Sequence, residues 1–581
     1  MSGTTRNKIC RRVLAGIALA GAWVGASAAQ ESAQGAAGVS ARPARGDETG
    51  PFRNYRGPDE ANELLSSWLA SGFGERLELG SSPGGRQLVA LQFGGKGPLP
   101  LAERTTIFLL GGLDGVSLAG GETVLFVVDS LLSAPEDLPA NVTFVAIPWA
   151  SPDGLARRLA SGAGDGRNDR VTDDDLDGAK DEDGPDDLDG DGLFLQMLIE
   201  DPAGGVTWAQ DPRFLRPAEP GEAPRFRRAV EGRDDDGDGE FNEDPPGGVV
   251  IDQNFPLGWH GSGSGVPSGA WPLSEPESRS IANLALARRA AIVLVFQGNH
   301  GELACPGGIE RGAGGLELPF PGDESVFRGL TELFGRTTGR NQEGAVRLAE
   351  AHGAARSGAA LDWFYAALGS LALEVGAWGP TVGRESVPAV DAEFQRARKA
   401  GETSAVSLRD RAWASWLDDT RAGIGFVQWQ PVELGGSRRA WVGGWQPFTC
   451  IDPPPELLPG VVRGMDLFVR EIVRGLPALD IEVLEASREG RVGLVRARIA
   501  NQGWLPSGVG PTAAPLGLRL CVELPDGVSL LAGEPARDLG HLPGRGTSAP
   551  FEWLLVAPEE TVLRLTLTGA WMPPVVREVR L

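Results

Sequence analysis

Cysteine is scarce in this chain of 581 residues. Of its four cysteines, Cys10 lies in an N-terminal segment that we expect to be removed. The remaining Cys305, Cys450 and Cys521 are odd in number, so at most one disulfide bond can form between them. This excludes the small secreted folds that depend on several disulfides. The length instead supports two or more domains with ordinary hydrophobic cores.

Positive charge and long apolar runs are scarce as well. Acidic side chains number 78 against 54 basic ones, which gives a formal net charge of −24. Such an acidic chain is not expected to bind nucleic acid. After residue 24, no apolar stretch is long enough to span a bilayer. We therefore expect no transmembrane segment in the mature protein.

The N-terminus has the pattern of a secretory signal peptide. Four basic residues between Arg6 and Arg12 precede the apolar run Val13–Val24, and small residues follow up to Ala29. We predict a signal peptide over residues 1–29 and a secreted or periplasmic protein. A membrane anchor is the alternative, but the run is too short to span a bilayer comfortably.

Residues 51–475 alternate between helical and strand patterns. Residues 30–50 before them are rich in Ala, Gly, Ser and Arg and are predicted to be a flexible lead-in. A helix is predicted over 61–72, and a hairpin over 76–93. The continuous apolar runs 105–110 and 142–147 are typical of strands covered on both faces. The alternation predicts a layered α/β domain.

Residues 165–244 interrupt this pattern with three acidic blocks. Aspartates at alternate positions with a following glycine suit the oxygen ligands of calcium, although the bidentate Glu of a helix–loop–helix calcium site is missing. A solvated acidic loop is the alternative. We expect calcium, which would fold the insertion rather than perform chemistry. The predicted ligands are Asp173, Asp175, Asp177, Asp181, Asp187, Asp189, Asp191, Asp234, Asp236 and Asp238.

Two other regions complete the chain. Residues 381–475 hold few strand signals but several aromatic turns, in which Trp429, Trp441 and Trp445 either line a cleft or fill a core. An amphipathic helix is predicted over 455–476. Residues 476–581 alternate short strands with turns, which predicts a small all-β sandwich domain.

Several ordered motifs over residues 52–475 resemble those of the zinc carboxypeptidases. They are Gly85–Arg86, the turn Gly111–Asp114, Ser151–Gly154, Asp252–Pro256, Ser274–Glu277, a strand ending at Gln297, and Leu371–Glu374. The acidic insertion and the C-terminal sandwich are similar to an exported bacterial branch of that family. The resemblance implies a three-layer α/β/α domain with a mixed, mostly parallel sheet, and carboxypeptidase activity that depends on zinc.

The residues at the family's zinc-ligand positions are substituted. In that family, a His-x-x-Glu turn and a later His bind the metal, and the matching positions here hold Asp114, Ser117 and Gln297. Three ligands leave one coordination position for a water, whose pKa the metal lowers. Aspartate can bind zinc, but a serine hydroxyl and a glutamine amide are poor ligands. The substitutions therefore predict that zinc binding is weak or lost.

Two nearby residues have two interpretations each. His300, three residues after Gln297, is either a replacement ligand brought inward by a loop shift or an exposed loop histidine. Glu374 matches the family's general base, and it is either a surviving base or a strand-end carboxylate held by hydrogen bonds. The second role is favoured where no metal-bound water needs a base. The histidines that match no ligand position are His260, His352 and His541.

The substrate-binding positions implied by the resemblance are Arg86, Asp252 and Gln253. The family binds the substrate's terminal carboxylate with an Asn-Arg pair, which Asp252 and Gln253 replace. No Lys or Arg occurs over residues 234–278, so the usual arginine fork for a carboxylate is missing. The family's substrate-covering Tyr is replaced by Ala355 or a neighbour.

Three functions follow from these features. The first is a secreted carboxypeptidase-like protein that has lost catalysis and keeps a cleft for a peptide or cell-wall-type ligand. The second is an active metallocarboxypeptidase with an unusual site built from Asp114, His300 and Glu374. The third is a calcium-dependent surface or adhesion protein, in which the α/β domain is a scaffold.

The calcium hypothesis has a direct test. We expect added calcium to raise the melting temperature, and chelation to make residues 165–244 sensitive to protease, because the carboxylates repel one another without a cation. Limited proteolysis with and without chelator measures this. Identical digestion patterns would contradict the hypothesis.

Overall fold

The computed structural model describes residues 54–581 with several gaps. The gaps are 71, 73, 163–164, 174–177, 262–266, 299, 309–316, 341, 343–345, 353–355, 380–404, 435–437 and 511–516. The predicted signal peptide and lead-in lie outside the described residues, as do Asp175, Asp177 and Ala355.

The described residues contain 22 strands and nine α-helices. The strands are β1 (Glu75–Ser81), β2 (Gln87–Phe93), β3 (Thr105–Gly111), β4 (Val142–Ile147), β5 (Gln196–Glu200), β6 (Val206–Trp208), β7 (Leu215–Pro217), β8 (Phe226–Val230), β9 (Ala290–Phe296), β10 (Leu303–Cys305), β11 (Val346–Arg347), β12 (Leu371–Val375), β13 (Phe426–Glu433), β14 (Arg439–Trp445), β15 (Leu479–Glu489), β16 (Val492–Asn501), β17 (Leu518–Glu523), β18 (Ser529–Ala532), β19 (Ala536–Gly540), β20 (Phe551–Val556), β21 (Val562–Gly569) and β22 (Met572–Arg580). The helices are α1 (Pro58–Ala70), α2 (Leu118–Leu132), α3 (Pro152–Ser161), α4 (Pro276–Arg288), α5 (Glu324–Thr338), α6 (Leu348–His352), α7 (Ala360–Leu368), α8 (Ala405–Arg421) and α9 (Leu458–Arg474).

A mixed eight-stranded sheet forms the centre of the α/β domain, in the order β1-β2-β4-β3-β9-β12-β10-β11. Neighbours are parallel from β4 through β3 and β9 to β12, and β10 is parallel to β11. The pairs β1–β2, β2–β4 and β12–β10 are antiparallel. The predicted mixed, mostly parallel sheet is confirmed.

Helices cover this sheet on both faces. Every residue of β3, β9 and β12 is buried, which is the expected state of parallel strands with a helical layer on each side. Helix α2 packs on β3 and β9 and against α9, and α9 also packs against α5. Helix α7 packs on β12 and β9, and α4 packs on β1. This layering confirms the predicted α/β fold class.

The acidic region contributes strands to a second sheet, which the sequence did not predict. This six-stranded sheet has the order β13-β14-β5-β8-β6-β7, and all its pairs are antiparallel. The segments 426–429 and 441–445, expected as aromatic turns, are parts of the hairpin β13–β14 instead. Residues 249–255, which follow the acidic region, contain a buried 3-10 turn at Ile251–Gln253.

Two four-stranded antiparallel sheets form the C-terminal sandwich, β15-β16-β20-β18 and β19-β17-β21-β22. Its own core includes Ile481, Val495 and Leu565. The sandwich also contacts the α/β domain, since Trp571 Nε1 donates to the Gly369 carbonyl at 2.9 Å and is buried. Among the described residues, no helix has the length and apolarity needed to cross a membrane.

Candidate functional site

The carboxyl ends of three neighbouring parallel strands bring the predicted site residues together. Strand β3 is followed by the turn that holds Asp114 and Ser117, and β9 is followed by Gln297 and His300. Glu374 is the fourth residue of β12. Because β3, β9 and β12 are parallel neighbours, these side chains lie at one edge of the sheet, where α/β proteins commonly bind ligands.

Hydrogen bonds from the protein itself occupy both carboxylate oxygens of Asp114. Oδ1 accepts from the backbone N–H groups of Val116 (3.1 Å) and Ser117 (3.0 Å). Oδ2 accepts from the Ser117 hydroxyl (2.6 Å) and from the Gly298 N–H (3.1 Å). Ser117 Oγ in turn accepts from the same Gly298 N–H at 2.9 Å. The turn is thus tied directly to the end of β9.

The Gln297 amide joins two buried carboxylates. Its Nε2 donates to Asp252 Oδ2 at 2.9 Å and to Glu374 Oε2 at 2.7 Å. Asp252 also accepts from Arg356 Nη2 at 2.8 Å and 2.7 Å through its two oxygens. Burial raises the pKa of Asp252, and the Arg356 charge opposes that rise. Asp252 and Glu374, joined by Gln297, form a carboxylate centre. Arg356 supplies this centre with a cation, which none of the family-like motifs contains.

Two histidines converge on the second carboxylate. The Nε2 atoms of His300 and His352 lie 2.8 Å and 2.5 Å from Glu374 Oε1, and the two rings are 5.4 Å apart. Burial alone would raise the pKa of Glu374, but the charge and hydrogen bonds of His352 and His300 hold that pKa well below its usual value. Burial lowers the pKa of His352. Glu374 is therefore an ionised acceptor with three donors around it.

Zinc does not fit the three positions that match the carboxypeptidase ligands. At the matched positions, the oxygens of Asp114 and Ser117 accept N–H groups, and Gln297 presents its donor nitrogen. His300, His352 and Glu374 form a nitrogen–nitrogen–oxygen set of the kind that catalytic zinc uses. However, His300 Nδ1 accepts from the Glu302 N–H at 3.1 Å. With Nδ1 accepting, the ring proton lies on Nε2, where a metal would need the lone pair.

The strand ends are held in place by a glycine and a buried arginine. Gly298 has a φ of 80°, and a Cβ there would lie 2.8 Å from the His300 ring. Arg340 donates to the carbonyls of Gly376 and Ala377, both at 2.6 Å. Burial lowers the pKa of Arg340 to about 9. These contacts fix the segment after Glu374 beside the His300 loop.

The structure revises several expectations about this site. His300 is 5% exposed, so it is not an exposed loop histidine. His352, which matched no ligand position, contacts Glu374, whereas Asp114 does not join His300 and Glu374 in any group of ligand atoms within 4.8 Å among the described residues. Among the described residues, the grouped ligand atoms thus include His352 in place of Asp114, the first member of the set proposed for an unusual metal site.

Arg86 and Gln253, the other residues predicted to bind substrate, make contacts within the protein itself. Arg86 donates to Asp153 at 2.8 Å and to Asp169 at 2.6 Å, in an ion-pair network outside the carboxylate centre. Gln253 is buried on the 3-10 turn beside Asp252. The neighbouring Asn254 uses its amide to hold the backbone carbonyls of Ser268 and Trp271.

The acidic insertion brings together three groups of carboxylates whose oxygens lie within 4.8 Å of one another. One group, not predicted as a set, joins Asp183, Asp236 and Glu243, and burial followed by the contact with Asp183 raises the pKa of Glu243 to about 7. Asp173 and Asp181 belong to none of the groups found among the described residues. The other two groups are Asp187 with Asp189 and Asp191, and Asp234 with Asp236 and Asp238.

Comparisons with known proteins give a coarse picture. Residues 478–580 match a family model described as a domain of unknown function, DUF8731. No curated protein matches the chain. Solved structures similar to it include carboxypeptidase A from Helicoverpa armigera, with 15% identity over 64% of this chain and 76% of that one, at a TM-score of 0.37.

Two bacterial structures are also similar. A metallo-carboxypeptidase from Burkholderia cenocepacia has 10% identity over 71% of this chain and 69% of its own, at a TM-score of 0.32. The murein-tripeptide amidase MpaA from Escherichia coli O157 has 12% identity over 57% and 91%, at a TM-score of 0.24. These values are too low to transfer the role of any residue, so the roles rest on the geometry above.

A buried carboxyl near the Arg86 network gives a pH-dependent prediction. Glu277 is 0% exposed, and burial, with Asp153 and Glu275 nearby, raises its pKa from 4.5 to about 8. Between those values the folded state binds more protons than the unfolded state, so the free energy of unfolding falls as pH rises. Glu277→Gln cannot ionise. We expect it to be more stable than the parent near about pH 9, with a smaller difference near about pH 5.

Chemical denaturation across this pH range measures the effect. Glu332→Gln, on the exposed face of α5, is the matched control and should leave the pH profile of the parent unchanged. Parallel profiles for Glu277→Gln and the parent would show that Glu277 does not titrate in this window.

Proposed function

We propose that this protein is an exported, carboxypeptidase-like binding protein that has lost zinc-dependent hydrolysis. The observation that carries the proposal is the occupation of both Asp114 oxygens by protein donors. A catalytic zinc site needs three ligands with free lone pairs and one open position for water. At this strand edge, the lone pairs of Asp114 and Ser117 accept N–H and O–H groups of the same chain instead.

The state of Glu374 supports the same proposal. A general base must be free to take a proton from the attacking water. Here Glu374 accepts hydrogen bonds from Gln297, His300 and His352, and its lowered pKa makes it a weak base. Of the two roles considered for Glu374, the carboxylate held by hydrogen bonds is the one this geometry favours.

Two parts of the proposal rest on sequence features. Export rests on the basic segment, apolar run and small residues of the first 29 residues. A peptide or cell-wall-type ligand rests on the resemblance to the carboxypeptidases, whose motifs are spread over residues 52–475. The binding function then replaces the chemistry that the substitutions at Asp114, Ser117 and Gln297 remove.

Calcium is proposed as a structural ion of the acidic insertion. Asp183, Asp236 and Glu243 hold carboxylate oxygens within 4.8 Å of one another, and the raised pKa of Glu243 reflects burial together with its acidic neighbour Asp183. A divalent cation relieves such repulsion and accepts several carboxylate ligands at once. Proteolysis in chelator, as described for residues 165–244, tests this part separately.

Metal content and hydrolysis of the purified protein test the main proposal. We expect the parent protein to contain no stoichiometric zinc and to release no C-terminal residues from a peptide library. The triple variant Asp114→His, Ser117→Glu, Gln297→His restores the three ligand types of the family, and it should bind zinc. Inductively coupled plasma mass spectrometry and mass analysis of the peptides measure the two quantities.

Variants with the same number of changes elsewhere provide the control. Substituting Asp187, Asp189 and Asp191 with Asn alters three exposed positions outside the strand edge and should not create zinc binding. If the parent protein contains stoichiometric zinc, and chelation removes it together with peptide hydrolysis, the active-peptidase alternative is correct instead.

A further inference from the structure

The first and third acidic blocks of the insertion, which end at Asp183 and Asp244, meet at one set of carboxylates. Asp183 comes from the first block, and Asp236 and Glu243 come from the third, yet their oxygens lie within 4.8 Å of one another. Calcium binds oxygens at about 2.3–2.6 Å, so two oxygens on one ion are at most about 5 Å apart. The sequence predicted ligands within each block, and it did not predict that two blocks share a site.

Hydrogen bonds join these two blocks in both directions. Asp183 Oδ2 accepts from the Asn242 N–H at 2.8 Å, and Asp244 Oδ2 accepts from the Asp181 N–H at 3.0 Å. Asp183 is 1% exposed, and no cationic side chain forms an ion pair with it in the part of the chain that the structure describes. A carboxylate that is buried in this way needs a compensating positive charge.

Two buried oxygens without donors point to a cation at this place. Asp234 Oδ1 and Glu243 Oε2 are fully buried, and neither has a hydrogen-bond partner among the described residues. An ionised carboxylate oxygen can only accept, so neighbouring carboxylates cannot satisfy one another. A calcium ion takes six to eight oxygen ligands, and it can therefore satisfy several such oxygens at once.

Asp236 belongs to two carboxylate groups. One group contains Asp183 and Glu243, and the other contains Asp234 and Asp238. Each group brings three carboxylates within reach of a single ion, and the two oxygens of a carboxylate can bind two different ions. The two groups together therefore suit two ions that are bridged by Asp236.

The third block also contacts the hairpin β13–β14. Arg438, immediately before β14, lies 3.7 Å from Asp234 Oδ2, and its guanidinium carbon lies 5.5 Å from the centre of the Phe241 ring. Asp234 thus faces the hairpin with one oxygen, while its other oxygen is buried without a donor. An ion that fixes Asp234 would also favour its contact with Arg438.

We propose that the first and third blocks form one site for two calcium ions that share a bridging carboxylate, so that calcium controls how firmly the hairpin β13–β14 is held. The ligands are Asp183, Asp234, Asp236, Asp238 and Glu243. The inference rests on the calcium part of the proposed function, and it adds the number of ions, the shared ligand and the segments that the ions join. It does not depend on whether the strand edge at Asp114 binds zinc.

Titration calorimetry of the chelator-treated full mature chain with calcium chloride tests the proposal. The parent should show two binding events that Asp236→Asn weakens together, each by about tenfold or more, because both ions lose the same carboxylate. Asp183→Asn should weaken one of these events, and Asp238→Asn should weaken the other. Asp236 and Asp238 are exposed, so their variants should fold even if the Asp183 variant does not.

Glu240→Gln is the matched control. Glu240 lies in the same block and is exposed, it forms an ion pair with Arg227, and it belongs to none of the groups of ligand atoms found among the described residues. Its variant should bind calcium like the parent. A single weakened event in Asp236→Asn would overturn the bridge between the ions, and so would equal losses in Asp236→Asn and Glu240→Gln.

Asp189→Asn separates this site from the exposed group of Asp187, Asp189 and Asp191. Oxygens of that group accept N–H groups of their own loop, as Asp187 does from Gly190 at 2.7 Å and from Gly192 at 2.8 Å. The variant should keep both events that depend on Asp236. If it instead loses all calcium uptake, calcium belongs to the exposed loop and the shared site is wrong. No calcium uptake by the parent would overturn both ideas.

Hydrogen exchange followed by mass spectrometry measures the effect on the hairpin. Chelation should speed exchange in peptides from β8 and β14 of the parent, because the third block is then no longer fixed between them. Asp236→Asn should show the same fast exchange with calcium present. Peptides from β16 and β20 of the sandwich are the internal control. Equal exchange of β14 with and without chelator would overturn the link between calcium and the hairpin.

Discussion

The Gln297 amide nitrogen lies between the carboxylates of Asp252 and Glu374, 2.9 Å and 2.7 Å from their oxygens. Two carboxylates buried at one strand edge repel each other when both are ionised, and each needs donors to replace water. The amide donates to both at once, while Arg356 completes one carboxylate and two histidines complete the other. The arrangement of this edge therefore depends on the amide.

This hydrogen-bonded arrangement differs from a metal site because it keeps no coordination position open for water. A catalytic zinc ion keeps one coordination position for a water and exchanges it during the reaction. The hydrogen-bonded centre has donors directed at the Asp114 oxygens and at Glu374, and the His300 tautomer is fixed by the Glu302 N–H. The hydrogen bonds of this network hold its side chains in place, although Gln297 Oε1 and Arg356 Nε have no hydrogen-bond partner among the described residues. The same edge of the sheet is thus suited to rigidity rather than to turnover.

Local patterns in the sequence predicted the layered α/β fold and the buried strands, and the resemblance to the carboxypeptidases implied that Asp114, Gln297 and Glu374 belong to one site. Neither predicted that His352 and Arg356 join the centre. His352 is the last residue of α6 and Arg356 follows it in the chain, and only the three-dimensional path of the chain brings them to Glu374 and Asp252. The hairpin β13–β14 was also missed, since its pairing with β5 links residues more than 200 positions apart.

The pairing of β5 with β14 also makes the acidic region a part of the second sheet. In sequence it is an insertion between two parts of one domain, but β5 and β8 from it supply the partners of β14, which lies far downstream. Removing the region would leave β14 with a row of unpaired N–H and C=O groups, and exposed edges of this kind promote association between chains. The hairpin β13–β14 and the strands of the acidic region thus depend on each other for paired sheet edges.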